Sequence, residues 1–343
     1  MLSEKERLYK VMNHEPVDRP PCICPGGMMN MITTDLMDLV KIPWPEAHTD
    51  VHMMANLALA SYQQGCFENI GLPFCMTIEA EAMGASVTMG TKKFEPHVTN
   101  YKIDSVKQWK LLSSMNPEEG REKIVLDAIR IIKDKNLNVP IVGNITGPIS
   151  TASSLMEPTI FYKELRKKNK EAHEYMDFVT NEIILYARKQ IEAGADIIAI
   201  SDPSGTGEIL GPHLFEEFAV KYINQLLAGI ADLNPGTIVH ICGHMHNVYI
   251  QADMLKSQVL SFDSCVSLKE ARENLSNRVL MGNVSTYTLE FGDEERVASI
   301  TRHCVEDGVN IISPACGLGT KSPINNIQAM LKTVREYEEL ARA

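Results

Sequence analysis

From residue 139 onward the chain alternates two kinds of segment. Short runs rich in Val, Ile and Leu end in Gly, Pro, Ser or Asp, and between them lie longer stretches with helical spacing of apolar positions. The short runs are "VPIVGNITGP" (139–148), "DIIAISDPSG" (196–205), "TIVHICG" (237–243), "QVLSFDS" (258–264), "RVLMGNVS" (278–285) and "NIISPACG" (310–317). They are apolar without strict alternation, as strands of a parallel sheet buried on both faces are. The stretch "FYKELRKKNKEAHEYMDFVTNEIILYARKQIEAGA" between the first two is amphipathic with a period near 3.6, so helices should connect the strands.

Two earlier segments, "RPPCICPGG" (19–27) and "GCFENIGLPF" (65–74), carry a weaker strand signal. With them the count reaches eight, and the expectation is a (β/α)₈ TIM-type barrel occupying 1–343 as one domain. Residues 1–18 form an N-terminal helical segment. Residues 75–138, too long for an ordinary connection, are read as an insert after the second strand, near the barrel mouth. The competing architecture is a doubly wound sheet with a second domain.

Composition narrows the function classes. The formal net charge of −11 and the lack of a basic run speak against nucleic acid as a partner. No run of about 20 apolar residues is present to cross a membrane, and the N-terminus "MLSEKERLYKVMNHEPVDR" is charged rather than signal-like, so a cytoplasmic protein is expected. The eight cysteines have no compact spacing, which favours reduced thiols or metal ligands over disulfides.

Active sites of barrels lie at the C-terminal ends of the strands, so the reactive residues found there are the candidates. His240 and Cys242 are two apart on one strand and face the same way. Cys316 ends the last strand and can approach the same point from another wall of a closed barrel. One imidazole and two thiolates suit tetrahedral Zn²⁺ with a fourth position open to water or substrate. A hydrogen-bonded strand histidine and small buried thiols explain the same residues without a metal. Asp263 fits three roles: a fourth ligand displaced by substrate, an acceptor orienting His240, or the N-cap of a helix. Asp202, Asn283 and Lys321 are candidate substrate contacts, Lys321 for an acidic group. Cys22 and Cys24 read as buried thiols, and His244 and His246 as solvated loop residues. Glu79 and Glu81 fit either an acid–base pair or a solvated face.

Several stretches together resemble a known family: "EPVDRPP", "PWPEAHTD", "LPFCMTIEAEAMGA", "GADIIAISDP", "HICG", "GNVS" and "PACG", in that order along nearly the whole chain. The pattern resembles the methylcobamide:coenzyme M methyltransferases of the uroporphyrinogen decarboxylase superfamily. The resemblance implies a zinc enzyme that takes a methyl group from methylcobalamin on a corrinoid partner protein and gives it to a thiol, coenzyme M. It places the ligands on His240, Cys242 and Cys316, and puts Asp263 where the family carries Glu. The decarboxylase branch is the poorer match, because "PPCICPGGMMNM" stands where its arginine-rich segment would lie. Two alternatives stay open: a corrinoid-dependent enzyme with tetrahydrofolate as acceptor or another methylated donor, and a non-catalytic corrinoid-binding barrel.

Overall fold

Seven parallel strands hydrogen-bond side by side in one curled sheet: β1 (Ile70–Leu72), β4 (Ile141–Thr146), β5 (Ile197–Ser201), β6 (Gly236–Ile241), β7 (Val259–Phe262), β8 (Val279–Val284) and β9 (Ile311–Pro314). β2 (Ser86–Thr88) and β3 (His97–Asn100) form a separate antiparallel hairpin. The computed structural model describes the backbone of residues 2–342 and the side chains of residues 2–337. Every residue of β4, β5, β7, β8 and β9 is buried, which accounts for the unbroken apolar runs in the sequence.

Residues 21–24 join the two free edges. On one side Cys22 bridges Ile312 of β9, with Ile23 N donating to Ile312 O and Ile312 N to Pro21 O, each at 2.9 Å. On the other, Glu68 N donates to Cys22 O at 2.9 Å, and the Asn69 amide exchanges two bonds with Cys24, accepting from its N and donating to its O. This eighth segment is short because prolines at 20, 21 and 25 lack an N–H for a longer ladder. A side-chain amide supplies the missing rungs. Beneath it the buried Glu68 carboxylate takes both arms of Arg19, at 2.9 and 2.5 Å, and the Cys22 N–H at 3.0 Å. Burial of a charge is tolerated where its lone pairs are filled in this way.

The helix Gly120–Lys133 packs against the helices Val51–Gln63 and Asn169–Ala193 and against β4, the place of an ordinary barrel helix. The extra length after β1 therefore lies within 75–119, in the helix Ile78–Ala82, the β2–β3 hairpin and the turn Val106–Leu111. The hairpin tip is pinned twice: Trp44 Nε1 donates to Thr91 O at 2.8 Å, and Thr320 Oγ1 to Lys93 O at 3.3 Å. Thr320 belongs to the loop that follows β9, so the tip lies at the C-terminal end of the barrel. No helix among the described residues is long and apolar enough to cross a membrane.

Candidate metal centre at the barrel mouth

β6 carries His240 as its penultimate residue, buried at the barrel's C-terminal end, and Cys242 follows just past the strand. Gly243 then turns the chain at φ +74°, a conformation L side chains resist, and an added Cβ would strike Glu208. Cys316 stands two residues beyond β9, again partly exposed. Nε2 of His240 and the two sulfurs all lie within 4.8 Å of one another, and Nε2 is 3.3 Å from Cys242 Sγ. Among the described residues this is the one group of His, Cys, Asp or Glu with metal-binding spacing.

A second residue on the neighbouring strand fixes the imidazole. Parallel pairing puts Ser261 of β7 directly opposite His240, and His240 Nδ1 meets Ser261 Oγ at 3.0 Å. Ser261 Oγ in turn donates to Met29 Sδ at 3.8 Å. A hydroxyl has one proton, so with that proton directed at Met29 the bond to His240 needs Nδ1–H as donor. In that arrangement Nε2 has its lone pair free and faces the sulfurs.

The two thiols share a proton unequally. Cys242 retains it and donates to Cys316, which together with burial pushes the Cys242 thiol well up. Cys316 is pushed down by that bond, with His240 and the Gly317 N–H helping against burial.

This donor set fits zinc. Bonds of about 2.0 Å to nitrogen and 2.3 Å to sulfur make tetrahedral edges of roughly 3.5–3.8 Å, which the trio meets with small adjustments. One nitrogen and two sulfurs leave a fourth corner, and both cysteines face the open end.

The other candidates are spent elsewhere. Asp263 lies outside the three-atom group: Oδ2 accepts from Gly243 N at 3.4 Å, and Oδ1 from Ser264 Oγ at 3.2 Å and Cys265 N at 3.3 Å. The N-cap reading is corrected, because Ser267 caps the helix Leu268–Asn274 through Glu270 N. The orienting contact to His240 belongs to Ser261, since Asp263 stands two residues further along and level with the loop rather than with the imidazole. Asp202 is buried, and its carboxylate accepts from Ser150 N and Oγ, both at 2.7 Å, and from Ile149 N at 3.1 Å. Burial raises its pKa, against the pull of those bonds. Asn283 donates to Asp263 O and Val266 O, each at 2.8 Å, fastening the loop after β7. Lys321 is exposed in the loop after β9.

Comparison with known proteins agrees with the barrel and its order of elements. The uroporphyrinogen decarboxylase (URO-D) family model matches residues 3–337. The methylcobamide:CoM methyltransferase MtbA of Methanosarcina acetivorans is 31% identical over 336 residues, covering 97% of this chain and 98% of the relative. MtaA of Methanosarcina barkeri, of the same description, is 32% identical over 337 residues, again 97% and 98%. The chain belongs to the methylcobamide:CoM methyltransferases of the uroporphyrinogen decarboxylase family. A solved methyltransferase from Methanosarcina mazei superimposes with a TM-score of 0.91 at 32% identity, over 98% of this chain and 99% of that one.

Three features of this methyltransferase-family chain escaped sequence reasoning. Ser261 shares strand parity with Asp263 and could have been found from it, but only once the register against β6 was known. Met28 Sδ lies 4.0 Å from Cys242 Sγ, so a thioether lines the site in the segment where the decarboxylase branch would carry arginines. Glu95, at the hairpin tip, keeps an exposed face, yet the protein around its carboxyl and the nearby Cys75 and Cys316 sulfurs push it up to about 7. The Glu79–Glu81 alternation is also resolved. The segment is a helix, so the two point apart. Glu79 is buried and takes Thr146 N and Oγ1, both at 2.8 Å, whereas Glu81 pairs with Arg121 at 2.5 Å.

Proposed function

We propose that the chain is a zinc-dependent methyltransferase of the cytoplasm that moves a methyl group from a methylated corrinoid protein to a thiol, coenzyme M. The observation that carries the reading is the convergence of His240 Nε2, Cys242 Sγ and Cys316 Sγ at the barrel mouth, in a chain of this family. These three residues are the proposed metal ligands, and Zn²⁺ bound there would supply the Lewis acid that keeps an acceptor thiol ionised near neutral pH.

The chain's own residues then have defined tasks. Ser261 holds His240 in the tautomer that leaves Nε2 free. Asp263 is assigned a positioning role, tying Gly243 to the loop after β7 so that Cys242 keeps its angle. Met28 and the buried wall around it exclude water from the reacting sulfur. Lys321, on the same loop as Cys316, is the proposed contact for the acceptor's sulfonate, while Asp202 and Asn283 act through the loops they fasten. The acceptor thiolate attacks the methyl carbon, the carbon–cobalt bond breaks, and its electron pair stays with the cobalt of the donor. Alignment of sulfur, methyl and cobalt is the barrel's main contribution.

The test is loss of methylcobalamin, followed by absorbance, with coenzyme M, other thiols or tetrahydrofolate as acceptor. Turnover is expected with coenzyme M, and Cys316→Ala is expected to lose both bound zinc and turnover. A Cys316→Ala protein that is active without zinc, or turnover that proceeds with tetrahydrofolate and not with a thiol, contradicts the reading.

A further inference from the structure

Residues 25–30, "PGGMMN", follow the short first strand segment and turn back at the barrel mouth. Gly26 pairs with Met29 across a tight turn in which Gly26 and Gly27 take φ of +101° and +61°, values open to glycine and strained for other residues. Three bonds hold the turn. Asn144 Nδ2 of β4 donates to Pro25 O, and Gly27 N to Pro73 O just past β1, each at 2.8 Å. On the far side Leu318 N donates to Asn30 O, again at 2.8 Å. Gly317 packs so closely here that an added Cβ would lie 2.4 Å from Met28 O. The backbone of Met28 is thus fixed against the residue that follows Cys316.

The side chain of Met28 reaches the other proposed sulfur ligand, with Sδ 4.0 Å from Cys242 Sγ. Met29, by contrast, is fully buried and turns its thioether to Ser261. Met28 is only half-buried. One residue therefore spans from the loop after β9 to the loop after β6, level with the sulfurs and with part of its surface open to the mouth. It carries no charge and at most a weak acceptor, so it can act on a small ligand only through its shape.

We propose that Met28 sets the width of the slot through which the acceptor's sulfur reaches the metal, and so restricts the acceptor to primary thiols, those with no branch on the carbon that bears sulfur. The inference rests on the reaction proposed above, in which the acceptor's sulfur takes the fourth corner beside Cys242 and Cys316. The carbon next to that sulfur then lies among the ligand side chains and the thioether. A backbone pinned on both sides does not retreat, so a branch on that carbon meets the Met28 side chain. One extra methyl in a closed apolar slot costs about 10–200-fold in kcat/KM.

The experiment compares two acceptors with the same sulfonate, coenzyme M and its branched analogue 2-mercaptopropane-1-sulfonate, with methylcobalamin as donor and the zinc-loaded protein. The quantity read is the ratio of their kcat/KM values. Comparing that ratio between wild type and variant cancels the intrinsic difference between the two thiols. Wild type is expected to favour coenzyme M, and Met28→Ala to narrow the ratio at least about tenfold through better use of the branched thiol. Met28→Leu, similar in volume, should keep the ratio within about threefold of wild type. Zinc content of both variants should match the wild type, which separates a widened slot from a damaged site. An unchanged ratio in Met28→Ala, or equal narrowing in Met28→Leu, overturns the role of Met28, as does a wild type that uses both thiols equally well. If Met28→Ala loses its zinc, Met28→Phe decides: the larger side chain should widen the ratio, and an unchanged ratio overturns the slot. A wild type that turns over neither thiol contradicts the proposed reaction itself, and the slot with it.

Discussion

Ser261 has the smallest side chain in the site and decides what the imidazole can do. Its hydroxyl lies 3.0 Å from Nδ1 of His240, and without that bond the ring is free to turn or to place its proton on Nε2. Ser261→Ala is therefore expected to weaken zinc binding by about 10–100-fold, the usual cost of losing a partner behind a ligating histidine. Competition with a chromophoric chelator measures it. Ser261→Thr, which keeps the hydroxyl, should recover most of the loss, whereas an unchanged affinity in the alanine variant would show that His240 needs no support. The same scale shows why some residues were readable and others were not. His240 and Cys242 announce themselves by strand parity, and Cys316 by its place after the last strand. Asp263 has the right chemistry and strand, but its carboxylate is taken up by the N–H groups of Gly243 and Cys265. Which of several polar groups at a strand end is left free depends on neighbours that sequence does not place.

Elements meet through buried polar groups as well as through the apolar core. Glu79, only 2% exposed, joins the helix Ile78–Ala82 to the end of β4, and burial pushes its carboxyl from 4.5 up to about 7 against the bonds from Thr146. A carboxyl raised on folding holds its proton more tightly in the native state, so the native chain binds more protons than the unfolded one between those two values. Its contribution to stability is then present below 4.5 and lost as pH rises through about 7. Glu79→Gln removes the titration and keeps the shape. Denaturant midpoints measured from pH 4.5 to 7 should fall less steeply for the variant than for the wild type, and parallel slopes would mean that Glu79 does not titrate there. The six strong strands were legible because parallel strands buried on both faces are apolar at most positions, without strict alternation. The first strand was faint because prolines cut its ladder short, leaving Asn69 and Glu68 to hold it. Glu79 and Glu81 lie on a helix, which carries them to different sides: Glu79 is buried against Thr146 and Glu81 pairs with Arg121.

The whole molecule brings residues from distant parts of the sequence to one opening. The (β/α)₈ order could be read from counting strands, and family membership confirms the architecture. The contact of Met28 with Cys242 could not, because 214 positions separate them and only closure of the barrel makes them neighbours. In the proposed reaction, zinc held by His240, Cys242 and Cys316 would keep its fourth corner for the acceptor's sulfur. X-ray absorption at the zinc edge of the purified protein, with and without coenzyme M, tests it most directly. The expected result is zinc bound to about one nitrogen, two sulfurs and one lighter atom, which becomes three sulfurs when the thiol is added. A protein that turns over without zinc, or whose zinc gains no sulfur from the thiol, would contradict it.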